Sequence, residues 1–281
     1  MEQEELQEWV GKTEQRIERI APFPANALAA TLERDDPVYS NETALPPLWH
    51  WLHFLPVFKL SDAGYDGHAA LGSFLPPVPL PRRMWAGSRL NFHAPMQIGQ
   101  ELKKISTIKS VKAKTGRSGQ LVFVTVGHQV FDGVTLGIDE EHDIVYREEP
   151  KAGDPAPTPP QAPSPSDFSR DINPDPVLLF RYSALTFNGH RIHYDQPYAC
   201  NEEGYPNLVV QGPLTATLLQ QFAVEHGGGR VLASFDFRGV TPLFVDRAFT
   251  LEGREEDENT LAVWARGPDG ELAMSATVGF K

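Results

Sequence analysis

The sequence predicts an α+β protein built from two similar halves, and three observations carry that prediction. Two stretches of alternating apolar and polar residues, broken by hairpin-type turns, recur in the same order in the two parts of the chain. A helix candidate precedes each stretch, and a long helix is expected inside each sheet. A Pro-rich segment with almost no large apolar side chains lies between them. Alternation of this kind marks antiparallel strands with one buried face, and a helix set against such a sheet is an α+β arrangement.

Taken in order, the N-terminal MEQEELQEWVGKTEQRIERI is acidic and amphipathic and lacks the basic start and apolar run of a signal peptide. WHWLHFLPVF, Trp49 to Phe58, sets two His among large apolar side chains, which suits helix packing or the lining of a pocket. RLNFHAPMQIGQEL then leads into TIKSVKAKT, a turn GRSG, and QLVFVTVGHQVF, with His93 and His128 as structural strand residues. Pro150 to Ser169 favours extended polyproline geometry and cannot form a core. It is expected to link a first domain, residues 1–149, to a second, residues 170–281.

In the second half, PLTATLLQQFAVE, Pro213 to Glu225, is helical by pattern and ends at Gly227, Gly228 and Gly229. Leu214, Leu218 and Phe222 fall on its core face at four-residue steps. SFDFRGVTPLFVDRAF, FTLEGREEDENTLAVWARG, a turn PDG and ELAMSATVGF follow, with Glu252 to Thr260 as a solvated hairpin. Pro95 and Leu102 are separated as Pro242 and Phe249 are, and Gly119-Gln120-Leu121 resembles Gly270-Glu271-Leu272. This is a weak internal repeat in conserved order. One helix and one curling sheet, twice over, matches a double hotdog.

Composition narrows the function classes. The chain has 281 residues, enough for two ordinary domains, and 41% of them are apolar. A formal charge of −12 disfavours nucleic acid, whose phosphates need clustered cations, while a few Arg can still build a local anion site. Cys200, the single cysteine, cannot form an internal disulfide and fits a reducing, cytoplasmic setting. It reads as a small packing residue. No Cys/His metal spacing occurs, and no segment is apolar for long enough to span a bilayer.

The chemistry concentrates in FRYSALTFNGHRIHYDQPYA, Phe180 to Ala199, which has neither helix nor strand period. It places Asn188, His190, Arg191, His193, Tyr194 and Asp195 within eight positions. Gly212 follows shortly, ahead of Pro213, at a helix entry whose free backbone N–H groups and dipole can stabilise an oxyanion. A plain flexible entry explains Gly212 alone equally well. Asp195 and Tyr198 are close enough to orient His193, and a turn or cap role suits Asp195 as well.

Together these segments resemble the hydratase 2 family, the R-specific enoyl-CoA hydratases and MaoC-like dehydratases. Anchored on His193, the run Asn188-Gly189-His190-Arg191-Ile192-His193 falls on the family's Asp-x-Asn-Pro-aliphatic-His motif, sharing its aliphatic residue and final His. The resemblance gives His193 the acid/base role and Gly212 the oxyanion role, and it puts Asn188 where the family has a catalytic Asp. Asn cannot accept a proton, so the usual pair is absent. The form TFNxHRIHYD resembles the branch of fungal-type hydroxyacyl-thioester dehydratases, where Asn can orient the water while His moves the proton.

Asp62 to His68, DAGYDGH, and Leu71 to Leu90, LGSFLPPVPLPRRMWAGSRL, are similar to the bacterial itaconyl-CoA and mesaconyl-C4-CoA hydratases of the same branch. The resemblance implies hydration of a C5 dicarboxylic enoyl-CoA to citramalyl-CoA, with no cofactor beyond the coenzyme A of the substrate. Such a substrate needs a cationic partner for its carboxylate. Arg82, Arg83, Arg181, Arg191 and Arg238 are the candidates, with His190 and Asp195 beside them, and Arg82-Arg83 could serve the CoA phosphates instead. A fatty-acid-type (3R)-hydroxyacyl-thioester dehydratase, a non-catalytic acyl-CoA binder and a hotdog thioesterase are the other readings. The first half lacks a counterpart of Asn188 and His193 and is expected to be a degenerate hotdog that shapes the acyl-CoA site. Two hotdogs in one chain already form the pair that single-domain relatives assemble, and further homo-oligomerisation is open.

Overall fold

The computed structural model describes residues 3–116, 119–148 and 158–281. The first half runs α1 (Gln3–Gln7), β1 (Thr13–Arg19), α2 (Pro22–Thr31), β2 (Arg82–Phe92), β3 (Glu101–Gly116), β4 (Gly119–Asp132) and β5 (Thr135–Arg147). The second runs β6 (Phe168–Ile172), α3 (Pro176–Leu185), α4 (Gln196–Asn201), α5 (Gly212–His226), β7 (Leu232–Gly239), β8 (Phe249–Asp257), β9 (Thr260–Arg266) and β10 (Leu272–Phe280).

The repeat foreseen in the sequence is carried by the strand order. The first half is ordered β1-β3-β4-β5-β2 and the second, read from its far edge, β6-β8-β9-β10-β7. Corresponding strands take corresponding places in this α+β double hotdog. The halves do not keep separate sheets, however. β2 pairs antiparallel with β7, from Gly87 opposite Arg238 to Asn91 opposite Ser234, so ten strands form one continuous sheet. Gly87 permits the close approach, since a Cβ there would lie 2.3 Å from the Phe237 carbonyl oxygen.

The halves differ at their centres. α5 packs across β7 to β10 and buries Leu214, Leu219, Phe222 and Ala223. Leu218, expected on that face, is only partly covered. In the first half no helix of that length is present among the described residues. The ten-residue α2 packs instead against α3 and the 3-10 turn Trp49–Leu52. The expectation of a long helix inside each sheet therefore holds only for the second half. The Pro-starts and small residues of PFPANALAAT support a short helix, but its ten residues cannot span a curled sheet.

Residues 150–157 of the expected linker lie outside the described residues. From Thr158 onward the chain follows the sheet edge, where Leu272 N–H donates to the Pro160 carbonyl and Ala162 N–H to that of Gly270. β6 begins at Phe168, inside the Pro-rich stretch. The main core runs through both halves, from Ile20 and Trp49 to Phe235 and Phe280. A smaller cluster around Ile108, Val124 and Tyr146 lies under the first half.

Candidate active site

His193 ends the 3-10 turn Arg191–His193, just ahead of α4. Its Nδ1 is 2.7 Å from the Val209 carbonyl oxygen, and Val209 N–H donates back to the Ile192 carbonyl at 3.0 Å. Since a carbonyl can only accept, Nδ1 carries the proton and Nε2 keeps its lone pair. The residue is 7% exposed. Burial lowers its pKa to about 4, against the opposing pull of the Val209 hydrogen bond. At neutral pH His193 is therefore an uncharged base held in one tautomer.

α5 starts two residues beyond Val210. Its N-cap residue, Gln211, is fully buried and donates from Nε2 to the Leu179 carbonyl (2.8 Å) and to Ser183 Oγ (2.9 Å), tying the helix entry to α3. Pro213 pre-sets the first turn. Gly212 lies on the cavity wall, and a Cβ on it would meet nothing within 4 Å. Open space thus faces the helix entry, where the leading backbone N–H groups have no intrahelical acceptor.

Asn188 also lines the cavity, and its Oδ1 accepts from His190 N–H at 3.0 Å. That bond uses the carbonyl end of the amide in shaping the loop. The His190 ring is 5.5 Å from His193, edge to face, and 4.1 Å from the ring of His68. Burial and the neighbouring His68 and His193 hold its pKa far below the usual histidine range.

His68 comes from the first half, and with Asp66 it is the main element of the site that the sequence reading assigned no role. His68 Nδ1 is 2.8 Å from Asp66 Oδ2, and His68 N–H donates to Asp66 Oδ1 at 3.0 Å. Burial is the largest single influence and would raise the Asp66 pKa, but the hydrogen bonds and charge of His68, with the charge of His190, together outweigh it and keep the carboxyl ionised. His68 itself is lowered by burial, against the pull of Asp66. Two glycines make this meeting of loops feasible. Gly67 has φ +88°, and a Cβ on it would fall 2.0 Å from the Gly189 carbonyl oxygen. Arg191 N–H donates to the Asp66 carbonyl at 2.9 Å and its Nη1 to that of Tyr65 at 3.1 Å. Asp66, His68 and His190 offer three ligand atoms within 4.8 Å of one another. The Asp66–His68 bond already uses one from each of two partners, so the group is a hydrogen-bonded set as it stands.

These residues open onto a cavity of about 1690 Å³ that extends over the concave face left without a helix in the first half. Its far end is polar. Glu140, 2% exposed, is bonded by His50 Nε2 at 2.9 Å, by Trp51 Nε1 at 3.1 Å and by His142. Burial opposes the charge, but the two histidines hold Glu140 well below the usual carboxylate range. His50 and His53 thus pack in a 3-10 turn and its cap and line the pocket, as their apolar surroundings suggested.

The five arginine candidates separate. Arg82, Arg83 and Arg238 line the cavity, and Arg181 and Arg191 are not among its lining residues. Arg191 pairs with Asp195 at 2.8 Å, and Asp195 also caps α4 by accepting from Tyr198 N–H at 3.1 Å. Arg82 is 3.4 Å from Glu203. Arg83 and Arg238, with Lys104 and Arg147, line the cavity without a carboxylate partner among the described residues. Lys104 and Arg147 were not singled out in the sequence, because on alternating strands they look like ordinary solvent-facing cations. Against a net charge of −12, these four give the cavity a local positive character.

Fold and site together define a MaoC-like double-hotdog protein with a His-centred cavity at the entry of its central helix. The hydroxyacyl-thioester dehydratase type 2 family matches residues 48–245, and the chain belongs to that family. It is 50% identical over 271 residues to mesaconyl-C(4)-CoA hydratase of Chloroflexus aurantiacus, with 96% of each chain covered. It is 30% identical over 262 residues to the mitochondrial hydroxyacyl-thioester dehydratase type 2 of Schizosaccharomyces pombe, covering 83% of this chain and 87% of that one. Among solved structures it resembles a MaoC-like dehydratase from Phytophthora capsici, with TM-score 0.71, 12% identity and coverage of 100% and 98%. HtdX of Mycobacterium tuberculosis superposes with TM-score 0.67, 18% identity and coverage of 95% and 99%.

Proposed function

We propose that the protein is a hydro-lyase that reversibly adds water to an enoyl-CoA thioester. The observation that carries this reading is His193, neutral and fixed in one tautomer, on the same cavity wall as the Gly212 helix entry. In hydration, the α5 N-terminus polarises the thioester oxygen and stabilises the enolate that develops. His193 Nε2 takes a proton from water as the oxygen bonds to the β-carbon. Asn188 Nδ2, the end of the amide not used by its bond to His190, can hold that water. The α-carbon then receives a proton, completing the addition of H and OH. No step calls for a metal or redox cofactor.

The cavity's cations without carboxylate partners and the relative at 50% identity support a dicarboxylic substrate class. A C5 dicarboxylic enoyl-CoA, itaconyl-CoA or mesaconyl-C4-CoA, carries phosphates and one free carboxylate, and Arg83 is a cavity cation without a carboxylate partner among the described residues. It acts electrostatically on both His68 and His190. The reading predicts faster turnover of the two C5 dicarboxylic thioesters than of crotonyl-CoA. It further predicts that Arg83→Ala raises KM for the C5 substrates at least tenfold, with a smaller effect on crotonyl-CoA. Equal rates on all three would favour a general acyl-thioester dehydratase, and release of free CoA a thioesterase. A soluble, cytoplasmic setting fits this chemistry, and among the described residues no helix is long and apolar enough to cross a membrane.

A further inference from the structure

We propose that His68, held by Asp66 on the first half of the chain, is a second catalytic acid–base residue that exchanges the α-carbon proton. This rests on the hydration reading above and adds a proton donor to it. His193 alone is a poor vehicle for both proton transfers. The group behind its ring is a neutral carbonyl, which does little to stabilise an imidazolium, and burial works against that charge. Asn188, in the family's carboxylate position, cannot take or give the second proton.

His68 has what His193 lacks. Its Nδ1–H points at an ionised carboxylate, Asp66 Oδ2 at 2.8 Å, which fixes the tautomer and works against the burial that lowers its pKa, a counterweight His193 has only from a neutral carbonyl. It lines the same cavity as His193 and Gly212. Its loop is locked to the His193 loop by the Gly67–Gly189 contact and by the Arg191 bonds to Tyr65 and Asp66, so its position relative to His193 is set by backbone. The charged and titratable groups that act on it are Asp66, Glu203, Arg83, His190 and His193.

In hydration, His193 Nε2 takes one proton from water while the water oxygen bonds to the β-carbon and the π pair moves onto the α-carbon and thioester oxygen. His68 Nε2–H gives its proton to the α-carbon. One H and one OH have then been added, His193 carries an extra proton, and His68 lacks one. His190, which lies against both rings, and bulk water are the routes by which that proton returns. In dehydration each transfer runs backwards. His68 must therefore start protonated for hydration and neutral for dehydration, and the two directions should have opposite pH dependence on this group.

The test uses the full-length protein and whichever enoyl-CoA the wild type hydrates. His68→Gln and Asp66→Asn are compared with wild type for kcat, KM, pH profile and thermal unfolding. His68→Gln should lower kcat about a hundredfold with KM changed only a few-fold. The wild-type fall in hydration kcat/KM with rising pH should disappear in His68→Gln and move to lower pH in Asp66→Asn. Exchange of the product's α-proton into D2O should be lost in His68→Gln. The proposal is overturned if His68→Gln keeps the wild-type kcat and pH profile, if its defect lies in KM alone, or if EDTA abolishes wild-type activity and a divalent cation restores it. Should His68→Gln fail to fold, an unaltered pH profile in Asp66→Asn overturns it equally. If the wild type hydrates no enoyl-CoA, the underlying reading fails, whatever the variants do.

Discussion

At the scale of single residues, burial and hydrogen-bond partner decide what each histidine can do. His193 and His68 both bond through Nδ1, one to a carbonyl and the other to a carboxylate. That difference leaves one ring against a neutral acceptor and the other against an anionic one. It also has a stability consequence. The folded pKa of His193 is depressed from an ordinary 6.5 to about 4, so between those values the unfolded chain binds more protons than the folded one. Stability from this group is complete above pH 6.5 and is lost as pH falls through about 4, amounting to about 3 kcal/mol. His193→Gln should flatten that part of the profile, read as urea midpoints at pH 7 and pH 4.5. An unchanged acid-side slope would contradict the buried, neutral state. His193 was legible in the sequence because its spacing from Asn188 and Gly212 carries the motif. The partner that distinguishes it, the Val209 carbonyl, belongs to backbone geometry and leaves no residue-type signal.

At the scale of elements, α5 was the most legible. Its 3.6-residue period, Pro start and glycine end follow from burying one helix in a curled sheet. The loops that build the site were less so. Asp66 and His68 stood in DAGYDGH, but no local period places that loop against one far away in the chain. What joins them is a steric allowance at two glycines. Gly67→Ala puts a methyl group into the Gly189 carbonyl at a positive φ, at a cost of roughly 1–3 kcal/mol. It should lower kcat at least tenfold by displacing His68 while leaving helix content unchanged by circular dichroism. Wild-type kcat in a folded Gly67→Ala variant would show that the loop contact does not position the site. For Arg191 and Asp195 the sequence left a structural role open beside a chemical one. They stand in the chemical run, yet the structure uses them to pair with each other, cap α4 and fasten the 64–68 loop.

At the scale of the whole molecule, the two halves have diverged in content while keeping one topology. The second has the long helix with its entry on the cavity, whereas the first, among the described residues, has no helix of that length and contributes cavity wall. The repeat was readable from turn spacing and alternation, since both report which strand face is buried. The β2–β7 seam was not, because strands inside a sheet and strands at its edge alternate alike. Nor could residue patterns show that the first half's DAGYDGH loop sets Asp66 and His68 against the second half's His190. The cavity therefore belongs to neither half alone, and the chemistry is a property of the joined pair.

The central claim is that this joined site adds water through His193. The most direct measurement incubates mesaconyl-C4-CoA or itaconyl-CoA in H2 18O with the wild type and with His193→Ala, and weighs the intact thioester by mass spectrometry. The account predicts a product heavier by one labelled water, with CoA still attached, from the wild type, and a rate at least a hundredfold lower from His193→Ala. Labelled product formed equally fast by the variant, or label found in a free acid beside released CoA, would contradict it.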